Sequence, residues 1–352
     1  GVARFRANFY LQRGTIAGAL RSIPLGVPRL EELNLPVAVA DLVGKPRGLI
    51  LVTGTVGSGK STTLAAMIHH INRTTGRNII TVEDPIEFLH WNIQSIISQR
   101  EVGQDTVSYL AALRCILRQD PDVILIGEIR DRETMSVALM AADTGHLVLS
   151  TLHTTDAAQT INRIISFYPP HQHEEVRYLL AGSLQAVVSM RLIPRADAPG
   201  RVPAVELMVN TETIRECLRD RDQTPRIRDV IAEGVNQYGM QTFDQSLMDL
   251  YRRGLIGLDE ALKHATTPTE FELRLKGIEA TSDQTWEAID QRRGEGPAAG
   301  APAPAPARGD AAPRPRSAGK EDRREGQTAA TLFPELGPRT RRAAADRGHR
   351  SA

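Results

Sequence analysis

Short runs rich in Ile, Val and Leu alternate along the chain with stretches whose apolar residues recur every three or four positions. The runs at 49–53 ("LILVT"), 78–82 ("NIITV"), 123–126 ("VILI") and 147–151 ("LVLST") read as strands. Between and after them, 60–73, 108–119, 132–143 and 157–167 carry helical periodicity. Regular alternation of this kind predicts an α/β fold, a parallel sheet with helices on both faces. Before it, residues 1 to about 35 read as strands plus a helix. "RSIPLGVPRLEELNLP" is a proline-punctuated connection there. After residue 170 the pattern gives one more helix, two strands ("LQAVVSMRLIP" and "RVPAVELMV") and short helices to about 277.

Composition changes the picture at the two ends. The chain opens on Gly1 inside strand-like "VARFRANFY", which reads as the remainder of an N-terminal domain spanning 1–35 with its linker. The expected core domain is 36–277. The net charge of +1 hides an asymmetry: 292–352 holds thirteen Lys/Arg against seven Asp/Glu, leaving −5 for the rest. With its Pro, Ala, Gly and Arg, the segment 278–352 lacks the apolar residues to offset ordering entropy, so it is expected to be disordered. Two cysteines, Cys115 and Cys217, form neither a disulfide framework nor a zinc cluster and suit a reducing cytoplasm. No run of about eighteen apolar residues is present.

The chemistry begins where the 49–53 strand stops. "GTVGSGKS" fits the G-x-x-x-x-G-K-[ST] phosphate loop. Gly54, Thr55, Val56, Gly57, Ser58, Gly59, Lys60, Ser61 and Thr62 would cradle phosphates with backbone N–H groups at a helix N-terminus. Lys60 would reach the β- and γ-phosphates, and Ser61 would offer a hydroxyl to Mg²⁺. Hydrolysis also needs carboxylates, and in a parallel sheet the ligand crevice lies at the carboxyl ends of the strands. "TVEDPIEF" puts Glu83 and Asp84 there, and "VILIGEIRD" puts Glu128. The expected division of labour gives the attacking water to Glu83 and the Mg²⁺ side to Glu128, with the reverse left open. Asp84, Glu87 and Asp131 are balanced between such roles and capping or ion pairing. His153, two residues beyond the 147–151 strand, is placed to hydrogen-bond the γ-phosphate or its water. His69, His70, His171 and His173 read as solvated.

"GTVGSGKSTT", "TVEDPIEF", "DPDVILIGEIRD" and "STLHTTDA", in that order, resemble the Walker A, Asp box, Walker B and His box of the secretion ATPases. With "ISQREVGQDT" and "GMQTFDQSLMDLYRRGLI", the chain looks most like the type IV pilus retraction ATPases, the PilT/PilU group, over residues 1 to about 275. The resemblance implies a homohexameric RecA-like P-loop motor hydrolysing ATP with Mg²⁺. It would work at the cytoplasmic face of the inner membrane on a pilus platform protein, with a paralogous pilus ATPase as a possible second partner. It also implies that arginines of the N-terminal domain, mapped to Arg6 and Arg21, reach the bound nucleotide; Arg114 and Arg118 are second-rank. The retraction-associated helix is matched only loosely by "TIRECLRD" (213–220). Three other classes would each leave a different mark in the sequence. An assembly or secretion ATPase of the same superfamily would bring a four-cysteine zinc module. A nucleic-acid translocase would bring a basic groove with stacking aromatics. A non-hydrolysing regulator would lack some of Lys60, Glu83, Glu128 and His153, all of which are retained. Neither zinc nor nucleic acid is therefore expected.

Overall fold

The computed structural model describes residues 4–23 and 26–276. The expectation of a disordered 278–352 lies outside the described residues. Strands β1 (Arg4–Gln12) and β2 (Thr15–Ile23) form an antiparallel hairpin of their own. A 3₁₀ turn at Leu30–Leu33 stands where a helix was expected, followed by the short helix α1 (Ala38–Val43). The alternation then runs β3 (Gly48–Thr53), α2 (Lys60–Thr74), β4 (Asn78–Glu83), β5 (Ile96–Glu101), α3 (Tyr109–Ile116), β6 (Val123–Ile126), α4 (Arg132–Asp143), β7 (Leu147–Leu152) and α5 (Ala157–Ser166). Helix α6 (His173–Ser183) leads into β8 (Leu184–Pro194) and β9 (Arg201–Val209). Six short helices close the described chain: α7 (Glu212–Arg219), α8 (Ile227–Glu233), α9 (Val235–Tyr238), α10 (Phe243–Arg252), α11 (Leu258–His264) and α12 (Pro268–Leu275).

The central sheet has the order β5-β4-β6-β7-β3-β8-β9, parallel throughout except for β9, which pairs antiparallel with β8. All six residues of β3 are buried, and they divide by parity, as a pleat requires. Leu49 and Leu51 join a core with α3 to α6, whereas Ile50 and Val52 join one with α1 and α2. A smaller third core packs Ile193, Val202 and Ala204 of β8 and β9 under α10 to α12. The apolar runs of the sequence are apolar because both faces of the sheet are covered.

Strand β5 escapes the apolar-run reading. It is an edge strand, half-exposed, with the sequence IISQRE. What holds its approach is not apolar burial but the fully buried Asn72 of α2. The Asn72 side-chain amide donates to the Trp91 carbonyl at 2.7 Å, and its oxygen accepts from the Ile93 N–H at 3.0 Å. Replacing it removes these two part-buried bonds and a third, from the Ser95 N–H at 3.4 Å, each worth about 1 kcal/mol. Asn72→Ala should therefore lower stability by about 2–3 kcal/mol, read by denaturant unfolding. An unchanged midpoint would show that the 91–95 segment is held by something else.

Candidate active site

The six parallel strands end on one side of the sheet, and the chemistry gathers there. Between β3 and α2 the loop must fold back tightly on itself. Gly54 has φ 142°, and a Cβ there would sit 2.5 Å from both the Met190 carbonyl and the Ser58 hydroxyl. Gly59, at φ 96°, starts α2 from a left-handed conformation that a side chain would strain. Lys60 is 8% exposed and donates to the Gly54 and Thr55 carbonyls, both at 2.9 Å. Burial holds its ammonium below the usual lysine range, against the opposing charges of Glu128 and Glu87. An ammonium has three donors, so one is left for an anion. The Ser58 hydroxyl is buried with no partner among the described residues, a second group that fits an anion in this loop.

Glu83 ends β4. One of its oxygens accepts from the Thr81 hydroxyl at 2.7 Å and from the Gln99 side-chain amide at 3.1 Å. Burial nevertheless wins over these bonds and pushes its pKa up, the direction that makes a carboxylate a better proton acceptor. Glu128 follows β6, and its two oxygens have different neighbours. One pairs with the Arg130 guanidinium, and the other lies 3.4 Å from His153 Nε2. Three bonds fix this corner: the Gly127 N–H to the Val82 carbonyl at 2.8 Å, the Thr151 hydroxyl to the Gly127 carbonyl at 2.7 Å, and the Ile129 N–H to the Thr151 carbonyl at 3.2 Å. They tie the end of β6 to both its neighbours, so Glu83, Glu128 and His153 share one rim.

Arg6 and Arg21 face one another across the β1–β2 hairpin as a register pair. Like charges directly opposite on two strands repel, and neither arginine has an ion-pair partner among the described residues. Both line one cavity of about 720 Å³ together with Lys60, Glu83, Glu128 and His153. Gly57, Gly59, Ser61, Thr62 and the exposed Val56 line it too. Gly54, Thr55 and Ser58 complete the loop behind them.

Several residues do not join. Arg114 and Arg118 are exposed on and just after α3 and do not line the cavity. Asp131 caps α4, accepting from the Thr134 N–H at 2.8 Å, whereas Asp84 and Glu87 do line the cavity. His69 and His70 are half-buried rather than solvated, and His173 bonds the Tyr168 carbonyl at 2.8 Å. Helix α7, the loose match to the retraction-associated segment, turns Ile214, Cys217 and Leu218 inward and pairs Arg215 and Arg219 with Glu212; none of these residues touches the cavity. Conversely, Tyr109, Arg130 and Arg201 line the cavity without having been singled out by sequence reasoning. Only Arg130, two residues past Glu128, had a signal that could have found it.

The segment after His153 is held from behind. Asp156 caps α5, accepting from the Gln159 N–H at 2.8 Å, and Glu206 of β9 accepts from the Ala157 N–H at 2.8 Å. Glu206 is 6% exposed, and its pKa is pushed up to about 7 by burial. The neighbouring charges divide: Asp156 adds to the rise, while Arg191 and Arg228 oppose it.

The family of secretion system proteins supplies the relatives. A family model described as type II/IV secretion system protein matches residues 31–245. The twitching motility protein of Neisseria gonorrhoeae is 48% identical over 264 residues, covering 75% of this chain and 70% of that protein. The type IV pilus retraction ATPase PilT of Pseudomonas aeruginosa is 46% identical over 271 residues, covering 77% and 78% respectively. The crystal structure of the pilus retraction motor PilT with bound ADP matches at TM-score 0.72 and 47% identity, over 77% of each chain. A glycine loop between a buried parallel strand and the helix it starts, with carboxylates at neighbouring strand ends, defines a P-loop nucleoside triphosphatase. The chain belongs to the type II/IV secretion system protein family and, within it, to the pilus retraction ATPases.

A raised carboxylate pKa in the folded state has a definite sign. The folded chain holds the Glu206 proton more tightly than the unfolded one, so stability falls as pH rises from about 4.5 to about 7. The amount is on the order of 3 kcal/mol. Glu206→Gln should remove that slope from a plot of melting temperature against pH. Parallel wild-type and variant profiles would refute the assignment.

Proposed function

We propose that this chain hydrolyses ATP in the 720 Å³ cavity and that the resulting domain motion powers retraction of a type IV pilus. The observation that carries this reading is convergence: loop, carboxylates, histidine and the Arg6/Arg21 pair, from separate elements, line one space. The similarity to the twitching motility and PilT proteins supports the pilus as the load.

The loop from Gly54 to Thr62 takes the phosphates, with Lys60 spanning the outer two. The hard oxygens of Ser61 and Glu128 suit Mg²⁺, which Glu128 would hold partly through water. When bound, that ion would offset negative charge building on the phosphates. Glu83, desolvated and held by Thr81 and Gln99, orients the attacking water and accepts its proton. His153 bonds the terminal phosphate or its water and, through the Glu206 contact behind α5, links the site to β9 and the C-terminal helices. Arg6 and Arg21 bring permanent positive charge on a separate hairpin, so closing it over the nucleotide stabilises charge that open subunits leave exposed. Cleavage and release weaken that attraction, and the hairpin moves back.

In this reading the chain works as a homohexamer of two-part subunits. It acts on an inner-membrane platform protein, peripheral to the cytoplasmic face, with a paralogous pilus ATPase as a further partner. No helix among the described residues is long and apolar enough to cross a membrane.

Lys60→Ala should abolish ATP turnover. Glu83→Gln should retain ATP binding but lose turnover, whereas Arg6→Ala and Arg21→Ala should each lower kcat by about 10³-fold. Turnover surviving in Glu83→Gln while Glu128→Gln is dead would reverse the two carboxylates. In cells, loss of the gene should leave excess surface pili that do not retract; bald cells would assign the chain to pilus assembly instead.

A further inference from the structure

The tyrosine at the start of α3 is placed as if it belonged to the hydrolytic site, although no role falls to it in the scheme above. Tyr109 is half-buried and lines the cavity. Its hydroxyl lies against Gly127, so close that a Cβ at that glycine would stand 3.0 Å from the oxygen. The same point is 3.3 Å from the Val82 carbonyl and 3.4 Å from the Glu83 Cα. The hydroxyl therefore sits at the junction of β4 and β6, where Glu83 and Glu128 leave the sheet, and it has no hydrogen-bond partner among the described residues. The ring packs against the core formed with α3 and α4, and Ser108 fixes the start of α3 by accepting from the Ala111 N–H at 3.1 Å. Burial, followed by the negative charges of Glu128, Asp84 and Glu83 and opposed by Arg130, pushes the phenol above its ordinary range. It thus keeps its proton and acts as a donor across the working pH range.

We propose that Tyr109 is a positioning residue for hydrolysis: its O–H donates, through one water, to the Glu83 carboxylate and fixes the orientation in which Glu83 holds the attacking water. The proposal rests on the reading of the cavity as an ATP-hydrolysing site. A donor of this kind matters when the water is activated and not when nucleotide binds. It predicts an effect on kcat with little on KM.

Tyr109→Phe keeps the ring and deletes only the oxygen. We expect kcat for ATP to fall about tenfold, with KM within about twofold and the melting temperature unchanged. The ratio of wild-type to variant kcat should stay flat from neutral to mildly alkaline pH, because the phenol does not titrate there. An unchanged kcat, or a loss of melting temperature with kcat and KM shifting together, would overturn the proposal. The location has its own check. Gly127→Ala should lower the melting temperature more in the wild type than in Tyr109→Phe, where the nearest obstacle is gone. An equal drop in both backgrounds would place the hydroxyl elsewhere and end the argument. A wild-type protein with no ATP turnover would instead remove the hydrolytic reading beneath it.

Discussion

The buried ammonium of Lys60 is the constraint around which the rest is arranged. A cation that is 8% exposed is costly unless its donors are used. Here two bonds go to carbonyls of its own loop, so loop and lysine define each other's shape. That shape requires the backbone at Gly54 to pass within contact distance of Met190 and Ser58, which only a residue without a side chain permits. Lys60 in turn feels Glu128 and Glu87 across the cavity. The negative rim and the positive loop are thus mutually stabilising, and in the reading proposed above a triphosphate would enter a field that already exists. Preorganised charge of this kind needs no rearrangement when the bond breaks.

Strand order decides who meets whom. Strand β7 lies between β3, which carries the phosphate loop, and β6, which carries Glu128. Its end delivers His153 to the gap between loop and carboxylate. Strand β4, on the far side of β6, sets Glu83 one strand further out. The hydroxyls of Ser150 and Thr151 bond the carbonyls of Ile126 and Gly127, so β6 and β7 end in fixed relation. A change of register in either strand would carry Glu128 and His153 apart, since neighbouring positions point to opposite faces.

Much of this was legible in the sequence, and the reason is physical. Strands covered on both faces must be apolar throughout, so β3, β4, β6 and β7 announced themselves, and the glycine pattern marked the tight loop between β3 and α2. Strand β5 did not, because an edge strand half in water has no need of an apolar run; Asn72 holds its approach by hydrogen bonds that leave no periodic trace. Helix α1 is a turn and a half long, too short for a period to show. The 3₁₀ turn at 30–33 took the place of a helix for the same reason, with prolines at 28 and 36 confining it. Residues that tune the site were the least visible. Thr81 and Gln99 hold Glu83 from two strands, and Tyr109 and Arg201 reach the cavity from elements whose sequences mark only packing.

The hairpin carries a like-charged pair of its own. Arg6 and Arg21 are adjacent across two strands, and no carboxylate among the described residues answers them. Their repulsion is a small standing cost of the fold that an anion on the opposite side of the cavity removes. In the reading proposed above, phosphate between the hairpin and the loop is what would bring both signs of charge into balance. Energy from the nucleotide can thus appear as a change in how firmly two parts of one subunit are held together. That coupling depends on charges fixed by register, so it belongs to the geometry of the strands rather than to any single side chain.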